Sequence, residues 1–440
     1  MSARATVNEP ARETEILGEY EVVVLGGGPA GISAAVAAAR AGRATLLVER
    51  YGFLGGMGTA AGVTNFCGLH ANVHGELRRV VHGVADELLE RIDRLGGLSE
   101  PHSLFMGKIA AQAYDNAAYK LAADDLLLAS GAQPLFHALA TGVVRNAGTV
   151  DFLLVETRSG RGAIRGGVFI DCSGDGDLAA WAGAPFEKGD GRGGMLYPST
   201  MFRVNGVDAQ RAADAWNRVG ELMEKSGRRF PRKSPILRPQ KHDIEWRVNV
   251  TQLANADGSA IDGTDAAQLT RGELEGRRQV AEFFAFLRES VPGFEGAYLL
   301  DVAPQVGIRE TRRIVGAYQL SDADVLGCAS FEDTIGVNGW PIEEHVPGDV
   351  AWRFPPIPES RGFNHLPYRM LVPGGLDNVL VAGRCASMTH LGQSAARVSG
   401  ACFVMGQAAG TAADLMLRGG VNVSELQRRL ESNGAYLGTR

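Results

Sequence analysis

The chain has 440 residues, with 44 Lys and Arg against 50 Asp and Glu, a net charge of −6, 45% apolar residues and 58 glycines. These figures fit an ordinary globular chain of two or three domains at roughly 100–200 residues each, and they exclude a small stapled scaffold. The mild acidity offers no general phosphate-attracting field, which argues against nucleic acid or an anionic membrane as the main partner.

After a polar leader over residues 1–19, the β-branched run from Tyr20 to Leu25 predicts a strand. GGGPAG and an Ala-rich stretch ending near Ala41 predict a helix, and Ala44 to Glu49 a second strand. Together they make a β-α-β unit of about 30 residues. Helices are predicted over Gly75 to Leu95 and Lys108 to Ser130, then strands over Gln133 to His137, Thr149 to Thr157 and Ala163 to Asp171. From about Gly189 the apolar periodicity becomes intermittent and turn clusters such as ANADGSAIDGTD and NGWPIEEHVPGD interrupt it, which predicts an inserted domain over residues 189–375. A strand at Asp377 to Gly383 and a small-residue helix from Ala395 to Leu417 restore the earlier style. The expected fold class is therefore α/β: a discontinuous Rossmann-like domain over residues 20–188 and 376–420, an inserted α+β substrate domain, and a frayed tail over residues 421–440.

Met1 to Tyr20 lacks an apolar signal core, and no stretch reaches the ~18 apolar residues a membrane helix needs. Cys67, Cys172, Cys328, Cys385 and Cys402 form no C-x-x-C pair, so no disulfide framework or zinc knuckle is indicated, no metal is expected, and a reducing cytoplasm is the expected location. Glycine at about twice the usual ~7% shows no Gly-X-Y period and points to turns and close backbone approach.

VVVLGGGPAG places Gly26, Gly28 and Gly31 in G-x-G-x-x-G spacing directly after a strand, with Gly27, Pro29 and Ala30 completing the turn into a helix. Gly26 permits the tight turn, Gly28 lets the backbone approach a pyrophosphate, and Gly31 lets helix and strand pack closely. Glu49, 18 residues after Gly31, suits a ribose hydroxyl and would repel a 2′-phosphate. This run alone does not choose between FAD and NAD. Three further segments favour FAD: the loop YGFLGGMGTAAG after Glu49 and Arg50, with Gly55, Gly56 and Met57; FIDCSGDGDLA, with Ser173, Gly174 and Asp175; and the strand ending in Gly383 and Arg384. The second resembles a nucleotide-contact motif of two-domain flavoproteins, and the third resembles their C-terminal flavin segment.

Through VVVLGGGPAGISAAVAAARAG, ERYGFLGGMGTAAG, FIDCSGDGDLAAWAGAP, GIRETRRIVGAYQL and NVLVAGRCASMTHLGQSAARVSGACFVMGQAAGTAA, the chain resembles the FAD-dependent oxidoreductase family of the glutathione-reductase-like two-domain flavoprotein superfamily. The resemblance implies FAD contacts at Gly26, Gly28, Gly31, Glu49, Gly56, Met57, Ser173, Gly174, Asp175, Gly383 and Arg384. Arg384 departs from the acidic residue that many relatives carry after that glycine.

Around a flavin the protein positions a substrate and tunes charge. Arg397, near a helix start, is expected to stabilise reduced flavin, with a structural salt bridge as the equal alternative. In GIRETRRIVG, Arg309 and Arg313 share a face if the segment is a strand, and their guanidinium forks suit a carboxylate or phosphate; pairing with Glu310 and other local acids is the plainer alternative. Among His70, His345, His365 and His390, all in loop-like contexts, His365 with Tyr368 is the leading proton-transfer pair. Cys67 follows the flavin loop without a partner cysteine. The expected function is hydride transfer between FAD and a small polar or anionic metabolite in the cleft between the domains, with the oligomeric state open. The alternatives are a non-redox flavin-dependent hydratase or isomerase, an NAD(P)H-driven reductase or monooxygenase, and an RNA-modifying flavoprotein.

Overall fold

Val22, Val23 and Val24 are fully buried at the centre of a seven-stranded sheet, as an unbroken apolar run requires of a strand covered on both faces. The computed structural model describes residues 6–438. The first five residues of the expected leader and the last two of the expected tail lie outside them. In chain order the first lobe contains β1 (Glu15–Leu25), α1 (Pro29–Arg40), β2 (Thr45–Val48), α2 (Asn116–Ala129), β3 (Gln133–Leu135), β4 (Leu139–Asn146), β5 (Thr149–Thr157) and β6 (Gly160–Asp171). The sheet order is β3-β2-β1-β6-β5-β4, parallel from β3 to β6 and antiparallel through β5 and β4. The leader is not loose along its whole length, because Glu15 to Glu19 pair with Gly162 to Arg165.

Two helix expectations are corrected. Gly75 to Leu95 opens as a strand: His70–Val73 and Glu76–Arg79 form a hairpin, and the helix begins only at Val84. Its two-residue turn, His74-Gly75, holds both residues at positive φ (50° and 96°), the geometry that matches strand twist in tight hairpins. Lys108 to Ser130 likewise begins as the strand Ile109–Ala113, fully buried against its neighbours. α2 starts where Asp115 caps it, its carboxylate accepting from the Ala118 N–H at 2.8 Å.

The second lobe has β7 (Phe202–Asn205), β8 (Ile236–Pro239), β9 (Trp246–Asn249), α3 (Ala266–Ser290) and β10 (Tyr298–Val302), with sheet order β8-β9-β7-β10, all antiparallel. Alternation divides its faces. Phe202, Val204, Leu237, Trp246 and Val248 meet Val280, Phe283 and Leu287 of α3 in a separate core. Residues such as Arg247 and Asn249 point the other way. Ile314, Val337, Leu366 and Leu371 pack into the first core.

The chain then returns to the first sheet through β11 (Val379–Val381), parallel to β6. The single helix expected over Ala395 to Leu417 is two, α4 (His390–Ala396) and α5 (Ser399–Leu417), with Arg397 and Val398 at the break. The expected frayed tail is instead α6 (Val423–Ser432), which buries Leu426 and Leu430 in the first core. No helix among the described residues is long and apolar enough to cross a membrane.

Candidate active site

The Gly-rich turn forms because β1 ends at Leu25 and α1 must start at once: Gly26 takes φ +100°, Gly28 is the N-cap and Pro29 stands where its missing N–H costs nothing. A methyl group on Gly31 would lie 1.7 Å from the Gly26 carbonyl oxygen, so Gly31 serves helix–strand contact and does not face the cavity. A methyl group on Gly28 would meet only Gly56, at 3.7 Å, while one on Gly56 would lie 2.8 Å from Gly28 Cα. The two glycines thus face each other across a cradle that side chains would fill. Glu49 is held beside it, accepting from the N–H groups of Gly27 at 2.7 Å and Tyr51 at 3.0 Å.

This cradle opens into one cavity of about 550 Å³. Gly26, Gly27, Gly28, Pro29 and Ala30 line it with Glu49 and Arg50, and so do Gly56, Met57, Ser173, Gly174, Gly383 and Arg384. Gly55 lies behind, donating its N–H to the Gly27 carbonyl at 2.8 Å. Asp175 also lies off the lining, as the partner of Arg384 (2.8 Å) and Thr311 (2.8 Å). The residues present suit a bound dinucleotide: an open glycine cradle at a helix N-terminus for the phosphates, and a carboxylate at the second strand end for a ribose.

The cavity is also cationic. Arg232, Arg238, Arg247, Arg309 and Arg397 line it, with Glu343 and His345. Arg309 is 7% exposed and donates to the Tyr197 carbonyl at 2.7 Å and the Ser199 hydroxyl at 2.9 Å. Burial, with Arg397 and Arg232 nearby, holds its basicity well below the usual guanidinium value. Burial likewise pushes Arg232 down to about 10 and lowers Arg247 and Arg397. The Nε of Arg232, Arg247 and Arg397 are buried without a hydrogen-bond partner. Buried donors left without a protein partner are available to a ligand's acceptor atoms.

The family model for FAD dependent oxidoreductases matches residues 21–432. The chain belongs to that family. A search of curated proteins gives no match. Among solved structures, the chain is similar to a geranylgeranyl bacteriochlorophyll reductase-like protein from Thermoplasma acidophilum, at 13% identity over 94% of this chain and 83% of that one, TM-score 0.48. It is also similar to p-nitrophenol 4-monooxygenase from Pseudomonas putida, at 12% identity over 94% and 84%, TM-score 0.48. The protein is an FAD-dependent oxidoreductase, with FAD as its cofactor.

In this oxidoreductase Arg309 and Arg397 reach the cavity, whereas the expected pair His365 and Tyr368 does not. His365 lies on Asn364–Pro367, where its Nδ1 accepts from the Phe331 N–H at 3.3 Å and its Nε2 stands 3.2 Å from both Arg361 and the Gly438 carbonyl. Tyr368 packs against the first core. Nor do Arg309 and Arg313 share a face, because Ile308 to Arg312 is not a strand. Arg313 turns to Glu310 and to the carbonyls of Met388 and Gly189, and Arg312 to Asp177 at 2.7 Å. The local-acid alternative therefore describes these two arginines and not Arg309. His70 and His390 also lie off the lining, and His390 pairs with Glu310 at 2.9 Å.

Sequence reasoning missed Arg232, Arg238, Arg247 and Glu343. Arg247 had one legible trace: it is the lone charge in the strand WRVN. Glu343 receives His345 Nε2 at 3.1 Å and Trp340 Nε1 at 3.0 Å. Burial opposes its ionisation, but these bonds and Arg397 hold its carboxyl down at about 2. Burial and Arg309 keep His345 neutral. Cys67 lines the cavity too, and burial pushes its thiol up to about 12, so it offers no thiolate there.

Proposed function

We propose that this oxidoreductase transfers a hydride between FAD and a small metabolite carrying a carboxylate or similar oxyanion bound at Arg309 and Arg397. The observation that carries the reading is that these buried guanidiniums, with Glu343 the acid nearest both of them, line the same cavity as the glycine cradle. A buried cationic cluster is costly unless something brings negative charge to it. When bound, FAD supplies the two-electron chemistry. Arg309, fixed by two hydrogen bonds, orients the anion, and the unpartnered Arg397 Nε adds a donor. A substrate that gives up a hydride also sheds a proton. His345 donates Nε2–H to Glu343 and so has its Nδ1 lone pair for that proton. Burial first, and then Arg309 and Arg397, hold the imidazole's basicity down; the substrate's charge offsets the two arginines and so raises that basicity in the complex. A glutathione-reductase-like placement of FAD is part of this proposal, supported by the strand ends at Ser173 and Gly383 bordering the cavity with the fingerprint.

The test is anaerobic mixing of the FAD-loaded enzyme with panels of anionic, neutral and cationic metabolites, followed by flavin absorbance. Bleaching by an anionic compound, lost in Arg309→Gln, is expected. Reduction by neutral or cationic compounds alone would overturn the reading.

A further inference from the structure

Across the cavity face of the second sheet, Asp301, Arg203, Arg247 and Arg238 stand opposite one another on β10, β7, β9 and β8. Arg203 is neutralised: its guanidinium lies 2.8 Å from Glu245 and 3.3 Å from Asp301. The next two arginines lack any such partner. Arg247, 6% exposed, donates to the Val63 carbonyl at 2.6 Å, and its buried Nε has no partner. Arg238 donates only to the adjacent Leu237 carbonyl, at 3.1 Å, and its guanidinium lies over the Trp216 ring, 5.6 Å from the centroid; burial and then Arg247 lower its basicity.

Like charges directly opposite on antiparallel strands repel, and burial strengthens the repulsion. Arg203, one strand away, is paired with acids at salt-bridge distance; Arg247 feels Glu343 but forms no salt bridge with it, His102 stands beside the pair, and both arginines line the cavity. Arg309 and Arg397 reach that cavity from other elements, and Arg397 has a carboxylate, Glu343, within 3.9 Å.

We infer that Arg238 and Arg247 form a second oxyanion subsite, so that the substrate carries two anionic groups, one at Arg309 and Arg397 and the other on the arginine row of the second sheet. This rests on the reading above and deepens it: the second group is a carboxylate or a phosphate, both of which match paired guanidinium forks.

Calorimetric binding to the FAD-loaded enzyme tests it without turnover. The probes are malonate, succinate and glutarate; propionate, butyrate and valerate as the monoanions of equal chain length; and phosphoglycolate. At least one dianion is expected to bind about tenfold or more tighter than its monoanion, as a charge-assisted pair provides. Phosphoglycolate leading the series identifies the second group as a phosphate, and a dicarboxylate leading it identifies a carboxylate. Arg238→Gln, at a half-buried position that the fold tolerates better than Arg247, is expected to abolish the gap while monoanion affinity stays unchanged. Equal binding of monoanions and dianions, or equal loss of both in Arg238→Gln, overturns the subsite and leaves the anionic reading standing. If no anion binds, both fall.

Discussion

Gly406 of α5 lies against Ala30 of α1 so closely that a methyl group in its place would come within 2.0 Å of the Ala30 carbonyl oxygen. One turn later, a methyl group on Gly410 would lie 2.1 Å from the Ala34 carbonyl. The obstacle is backbone on both helices, so neither can give without moving the other. The small residues of α5 therefore seat the helix whose N-terminus forms the glycine cradle. Gly406→Ala is expected to cost about 1–3 kcal/mol by overpacking and to loosen FAD, because α1 must shift. Thermal unfolding with and without added FAD checks this, and an unchanged midpoint would contradict it.

Two glycines of the fingerprint should fail differently. Gly31→Ala strikes the Gly26 carbonyl and is expected to reduce soluble, folded yield. Gly28→Glu meets only ordinary contact with Gly56 at its Cβ, so the protein should fold, yet its side chain fills the cradle and brings a carboxylate to the pyrophosphate position. Glu49→Ala removes the acceptor of the Gly27 and Tyr51 N–H groups and should weaken FAD by about 1.5–3 kcal/mol. Flavin content after gel filtration, read beside circular dichroism, separates the cases. Normal FAD retention by folded Gly28→Glu would place the cofactor elsewhere.

Burial, with Arg247 and Arg238 alongside, pushes His102 from 6.5 down to about 4. Between those values the unfolded chain holds a proton that the folded chain does not, so this contribution to stability is full above about pH 6.5 and is lost as pH falls toward 4. Asp171 works in the opposite sense, since burial raises its carboxyl to about 6, so the informative quantity is the difference between parent and variant curves. His102→Asn should lose less stability on acidification than the parent. A bound dianion should flatten the parent's decline as well, by placing negative charge beside the imidazole. Parallel melting-temperature curves from pH 7 to 4 would contradict both expectations.

The β-α-β unit was legible because its information is local: a β-branched run, a glycine turn and an Ala-rich helix within about 30 residues. The Gly75 to Leu95 expectation missed a hairpin turn whose first residue, His74, takes a positive φ that Asn or Asp usually marks. The Ala-rich strand Ile109–Ala113 reads like helix, and only its neighbours make it a strand. Arg397 and Arg309 were legible as arginines near flavin segments. The Arg238–Arg247 pair was not, because it exists only in the register of two strands with a turn between them. His365 and Tyr368 drew notice as residue types with useful proton chemistry, but which face a loop residue presents is decided by distant packing, here by the Gly438 end of the chain.

The electron partner follows from what the second glycine-rich segment does. Ser173-Gly174-Asp175-Gly176 follows β6 as a nucleotide turn would, but the helix it opens, Asp177–Trp181, is five residues long. Gly176 meets Ile314, and Asp175 is committed to Arg384 and Thr311, while Ser173 and Gly174 border the cavity of the first fingerprint. The segment thus adds to one dinucleotide site and does not build a second. A nicotinamide would have to share that one cavity with the flavin and the substrate, and among the described residues no second glycine cradle holds its phosphates. NADH and NADPH are therefore expected to reduce the bound FAD far more slowly than the organic substrate does. Anaerobic stopped-flow decides it: slow, non-saturating reduction by both nucleotides agrees with a dehydrogenase, whereas fast, saturable reduction by either makes the enzyme an NAD(P)H-driven reductase or monooxygenase.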